Sequence, residues 1–151
     1  MFDLYAEFVA LIRSLEGNGI DYAICGGLAL AVHAQPRATV DIDLLAPDSA
    51  LEAIEKIIYG LGYTIASDPM EFGGGATRIR RWSKPYPDGD VLSVDVLLVT
   101  AGNAAAWDSV LTLTWNGEPL RVVSREGLIH LKRMRGSPQD LADIENLRKT
   151  E

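Results

Sequence analysis

The apolar positions of this chain change period several times, and each change marks an element. Leu4, Tyr5, Phe8, Leu11, Ile12 and Leu15 recur at helical spacing until Gly17-Asn18-Gly19, residues that tolerate left-handed backbone, stop the pattern. The spacing predicts an amphipathic first helix. Ile20 to Cys25 reads as a short strand, and "GGLALAVHA" as a tight turn into a helix of small residues that ends before Pro36. Val40 to Leu45 reads as the next strand. "APDSALEAIEKIIYGLGY" then pairs Ser49 with Glu52 as a capping box ahead of the stripe Leu51, Ile54, Ile57, Ile58 and Leu61, which Gly62 closes.

In the middle of the chain the period falls to two. "ATRIRRW" and "VLSVDVLLV" flank "SKPYPDGD", where Asp88-Gly89 signals a turn, and Asn116-Gly117 signals a second hairpin inside "VLTLTWNGEPLRVV". Gly73 to Gly75 reads as a flexible loop and not a P-loop, because no lysine or helical pattern follows at the needed spacing. Ser124 can cap a helix carrying Leu128, Ile129, Leu131 and Met134, with Gly136 at its end. Ser137 and Pro138 start the last helix, with Leu141, Ile144 and Leu147 inward and Asp140 helping the cap. The expected result is one α/β (α+β) domain over residues 1–151, with a mixed sheet to which antiparallel hairpins are added.

Composition narrows the function classes. A chain of 151 residues, 48% of them hydrophobic, can close one sizeable core and is short for two domains. The net charge of -7 argues against a broad basic surface that holds nucleic acid by phosphate neutralisation. Cys25 is the only cysteine and has no activating arrangement around it, so it reads as a small buried side chain. "MFDLYAEFVALIRSLEGNG" has neither a basic start nor a continuous apolar stretch, which sets the expectation of no signal peptide or membrane span and a reducing cytoplasm.

The candidate chemistry lies in "ICGGLALAVHAQPRATVDIDLLAP". Strand alternation sends Val40, Ile42 and Leu44 toward a core and puts Thr39, Asp41 and Asp43 on the other face, the two aspartate Cα atoms about 6.5 to 7 Å apart. Solvated aspartates would explain such a pair, as would a site for a hard cation. Asp95, within the apolar "VLSVDVLLV", is a carboxylate that wants a partner, and beside the first acidic strand it would bring three together. Three acidic ligands can hold two divalent ions roughly 3.5 to 4 Å apart, the arrangement suited to in-line displacement at phosphorus. Gly26-Gly27, where a strand passes into a helix, fits either tight packing or a phosphate seat at a helix N-terminus.

A strand ending in Gly-Gly, a helix, an Asp-x-Asp strand and a later acidic strand resemble the polymerase-beta-like nucleotidyltransferase superfamily. From Ile24 to Leu45 the chain is similar to minimal bacterial members that include abortive-infection toxins of toxin–antitoxin systems, which often carry an arginine and a threonine where Arg37 and Thr39 stand. The resemblance implies the nucleotidyltransferase fold with a helical C-terminus. It implies a two-ion Mg2+ site, or Mn2+, on Asp41, Asp43 and Asp95, with a nucleoside triphosphate bound by Gly26, Gly27, Arg37, Thr39 and Lys132. The implied reaction transfers a nucleoside monophosphate to an acceptor hydroxyl of a small molecule, a protein or a tRNA, and the implied partner is an antitoxin protein.

Other readings stay open at this stage. Arg37 could pair with Asp41 or Asp43, Lys132 could be a solvated helix lysine, and Arg78 and Arg80 could line an acceptor groove or solvate an edge, with Arg81 on the opposite face. His33, His130 and the three tryptophans read as structural. A silent nucleotide- or protein-binding module of the same fold is the alternative function. A glycosyltransferase using Asp-x-Asp ranks last, because the Gly-Gly turn lies in the wrong relation to it.

Overall fold

The computed structural model describes residues 2–150. Helix α1 (Leu4–Gly17) starts on Asp3, whose carboxylate accepts the Ala6 N–H, and buries Phe8, Leu11, Ile12 and Leu15. Strand β1 (Ala23–Cys25), helix α2 (Gly26–His33), strand β2 (Asp41–Ala46) and helix α3 (Leu51–Gly60) follow in the expected order. After the short strands β3 (Ile65–Ala66) and β4 (Met70–Phe72) comes the long hairpin β5 (Thr77–Pro85) and β6 (Val91–Leu98). Helix α4 (Ala104–Asp108) leads to the hairpin β7 (Leu111–Trp115) and β8 (Glu118–Val122), and helices α5 (Arg125–Arg135) and α6 (Pro138–Lys149) end the chain.

All eight strands form one mixed sheet in the order β3-β5-β6-β2-β1-β8-β7, with β4 also paired to β5. β2 runs parallel to β6 and antiparallel to β1, β1 runs parallel to β8, and both hairpins are antiparallel. The second hairpin turns on Asn116 at φ 50° and Gly117 at φ 78°, the pair of positive values that matches strand twist. Ile42, Leu44, Val94 and Val96 are fully buried on one face, where Trp82 donates its indole N–H to Glu55 of α3 at 3.2 Å. Asp41, Asp43 and Asp95 are therefore left to the other face, toward α5.

Several local expectations fail for physical reasons. Val40 precedes β2 and is 61% exposed, so of the three expected core residues Ile42 and Leu44 enter the core, where Leu45 and Ala46 join them. The Ser49–Glu52 capping box does not form, because a single 3-10 turn over Asp48–Ala50 leads into α3 without a side-chain cap. Gly73–Gly75 makes a comparable turn, with Gly74 at φ 66°. In α6 the capping box of Ser137 and Asp140 is present as expected, yet Leu141 is 59% exposed. The inward stripe of α6 is Asp140, Asp143, Ile144 and Leu147, since α5 offers cations that a leucine could not match. Among the described residues no helix is long and apolar enough to cross a membrane.

Candidate functional site

Backbone register builds the acidic face. In the parallel pair Asp43 lies directly opposite Asp95 and Asp41 opposite Ser93, while β1 sets Cys25 opposite Asp43. The chain leaves Cys25 straight into α2 through Gly26 at φ 65°. A Cβ at Gly26 would stand 2.1 Å from Asp43 Oδ2, and one at Gly27 would stand 2.8 Å from Thr39 Oγ1 and 3.5 Å from Arg37 Nη1. Both glycines are thus required where the acidic strand crosses the start of α2. Gly26→Ala is expected to cost on the order of 3 kcal/mol, from left-handed backbone plus displacement of the Asp43 carboxylate. Chemical denaturation measures it, and an unchanged midpoint would refute the close approach.

Electrostatics separates the three carboxylates. Among the described residues the Asp41 and Asp43 carboxylates have no hydrogen-bond or ion-pair partner. Burial, with Asp95 and Asp41 as like-charged neighbours, pushes the Asp43 carboxyl up to about 7. Burial and Asp95 also raise Asp41. Asp95 is instead held by Arg81, with Nε on Oδ1 at 2.7 Å and Nη2 on Oδ2 at 2.9 Å. Arg81 was legible as a strand residue but not as part of the site. The signal was the hairpin itself, because Arg81 and Asp95 lie seven residues to either side of Asp88 and so face each other across the ladder. Arg78 bonds Asp48 and Glu71, and Arg80 sits 3.8 Å from Glu55, so neither lines the acidic face.

Hard oxygen donors with unmatched charge suit Mg2+ or Mn2+. Asp41 and Asp43 fit that chemistry as they stand. Asp43 turns against Gly26 and Asp95 against Arg81, and among the described residues no three acidic, histidine or cysteine side chains are grouped to hold a metal ion.

The cationic residues form a second network beside the first. Arg37 clasps Asp143 with Nε and Nη2 at 2.9 and 2.8 Å, so its pairing is neither with Asp41 nor with Asp43. Lys132 is 3% exposed, not solvated, and donates to the same Asp143 at 2.8 Å while lying 4.0 Å from Asp140. Arg135 holds Asp140 through two 2.8 Å bonds. Thr39 sits against Gly27, its hydroxyl 3.5 Å from the Asp41 carbonyl. The network ties the segment before β2 to α5 and α6. Between it and the acidic strands lies a cleft of about 660 Å³, open mouth included, walled by Gly26, Asp43 and Asp95 and by Leu131, Lys132 and Arg135 of α5.

The residues read as structural are so placed. His33 meets the Val123 carbonyl at 2.7 Å and His130 the Gly102 carbonyl at 2.8 Å. Trp82 is fully buried, Trp115 packs edge-on to Phe8, and Trp107 lies under the Arg121 guanidinium. Burial raises the Cys25 thiol well above its ordinary range, leaving it inert.

No protein-family model matches the chain, and no curated protein sequence does. Solved structures do. A nucleotidyltransferase candidate from Thermotoga maritima superposes with a TM-score of 0.61 at 15% identity, over 96% of this chain and 90% of that one. The lincosamide antibiotic adenylyltransferase LnuA, lincomycin-bound, gives 0.59 at 15% identity, covering 97% of each chain. An antigenic nucleotidyltransferase-like protein from Paracoccidioides brasiliensis gives 0.54 at 20% identity, over 95% of this chain and 74% of that one. The chain thus has the nucleotidyltransferase fold, a mixed sheet flanked by helices with a helical C-terminus.

Proposed function

We propose that this chain is a metal-dependent nucleotidyltransferase, which moves a nucleoside monophosphate from a nucleoside triphosphate to an acceptor hydroxyl and releases pyrophosphate. The observation that carries this reading is the pair of unpartnered carboxylates, Asp41 and Asp43, set beside the Gly26-Gly27 turn with Asp95 in register across β6. Asp41 and Asp43 would hold the Mg2+ ions, with Asp95 completing the set. The bound metal would lower the pKa of the acceptor hydroxyl and offset charge on the phosphates. The start of α2 would face the triphosphate, and Lys132 and Arg135 put positive charge on the far wall of the cleft. Arg37 and Thr39 would act one step back, by fixing the segment that delivers Asp41. The adenylyltransferase named among the similar structures favours an adenylyl donor.

A toxin role within a toxin–antitoxin pair, with an antitoxin partner, belongs to this proposal on the resemblance from Ile24 to Leu45. Acceptor classes compatible with it are a small hydroxyl compound, a protein side chain and a tRNA end. One observation favours a second reading, a nucleotide-binding module without turnover: Asp95 is already matched by Arg81. Incubation with each labelled triphosphate, Mg2+ and a cell extract distinguishes them. Magnesium-dependent pyrophosphate release with label on one molecular class supports the transferase. Triphosphate binding without product under every acceptor pool supports the silent module.

A further inference from the structure

We propose that Arg81 is a built-in counter-cation for Asp95, an ion-pair lock that must open before the third carboxylate can join a metal site. The inference rests on the metal-dependent reading above. Across three neighbouring strands the register sets Arg81, Asp95 and Asp43 in one row, so Asp95 stands between a cation and an anion. Its carboxylate turns to the cation, and the planar fork of Arg81 engages both oxygens. Asp95 can give an oxygen to a divalent cation only by releasing one or both of those bonds.

Arg81 is built to let go. Among the described residues Asp95 is the only hydrogen-bond partner of its side chain, which is 42% exposed on β5. The two other arginine forks beside the cleft differ, since Arg37 and Arg135 clasp carboxylates that are almost fully buried, whereas Asp95 is 15% exposed. Opening exchanges one positive partner of Asp95 for another, so its carboxylate is not left unmatched. The released guanidinium stays at the rim of the acidic face, where its fork suits a phosphate. Arg81 is thus a positioning residue, setting when Asp95 is available.

Mn2+ binding, followed by electron paramagnetic resonance without any nucleotide, tests the lock. Arg81→Gln is expected to bind Mn2+ about tenfold more tightly than wild type, because the metal no longer competes with a charge-assisted pair. Arg81→Lys keeps the charge but not the fork and is expected to gain severalfold; it decides the matter if the glutamine variant does not fold. Arg135→Gln removes a positive charge that acts on Asp43 without freeing any oxygen of Asp95, and is expected to change the affinity by less than about twofold. Equal affinity in wild type and both Arg81 variants overturns the lock and leaves the metal site standing. An Arg135→Gln gain as large as that of Arg81→Gln also overturns it, since bulk charge would then suffice. No bound Mn2+ in wild type or in either Arg81 variant overturns the lock together with the metal-dependent reading.

Discussion

Asp43→Asn is expected to abolish the proposed nucleotidyl transfer and to yield a protein that melts above wild type. The two effects have one origin. Asp43 is a carboxylate without a protein partner, pressed against Gly26 and facing Asp95 and Asp41, and its charge is unfavourable enough to push its pKa to about 7. The neutral amide keeps the shape and removes the charge. Loss of a carboxylate proposed to hold the metal is expected to cost at least about a thousandfold in rate, roughly 4 kcal/mol of transition-state stabilisation. Relief of the unmatched charge is expected to raise the melting temperature by about 2–4 °C, the shift that roughly 1 kcal/mol produces in a chain of this size. Pyrophosphate release and thermal melts in chelator measure both. A variant that turns over at the wild-type rate would sink the assignment, and one that melts lower would show that Asp43 has a structural partner.

The largest effect on stability is expected at Asp143, which accepts from Arg37, Lys132 and Gln139 together and is 2% exposed. Asp143→Ala leaves Lys132 charged and buried with only Asp140 nearby, at 4.0 Å. Breaking one partner of a buried pair costs about 3–5 kcal/mol. Replacing both, as Lys132→Met with Asp143→Leu, is expected to recover most of that loss, since well-packed apolar residues carry no desolvation penalty. Burial alone would raise the Asp143 carboxyl, but the three donors hold it well below its ordinary value of 3.8. A depressed pKa stabilises the fold above 3.8 and loses that contribution as pH falls through the folded-state value. The stability gap between wild type and Asp143→Ala should therefore be full at pH 7 and narrow in acid. Urea melts across that range check it, and a gap that widens toward low pH would contradict the sign.

The elements were legible wherever local chemistry and tertiary packing agree. The stripe of α1 from Phe8 to Leu15, the Ser124 and Ser137 caps, the Gly136 stop and the two hairpin turns stand where the pattern puts them, while Tyr5 is 58% exposed. Short elements were not legible: β3, β4 and α4 are too brief to hold a full period of either kind. At α3 a strong local signal, Ser49 with Glu52, lost to a 3-10 turn whose geometry leaves Ala50 at the cap.

For the site, the sequence alone determined the residue types, their spacing and their common face, because strand alternation is a property of the backbone and needs no partner. Asp41, Asp43 and the Gly26-Gly27 turn follow from that. Only the tertiary structure decided who neutralises whom. Arg37 and Lys132, expected at a phosphate, are drawn to Asp143 on a helix more than a hundred and about ten residues away, respectively. Arg81, expected only on the face opposite Arg78 and Arg80, reaches Asp95 across the hairpin, and Asp43 is left with none. Charge pairing depends on distance in space and on shared burial, neither of which a one-dimensional pattern contains. Strand pairing therefore turns three equivalent aspartates into one locked carboxylate and two open ones.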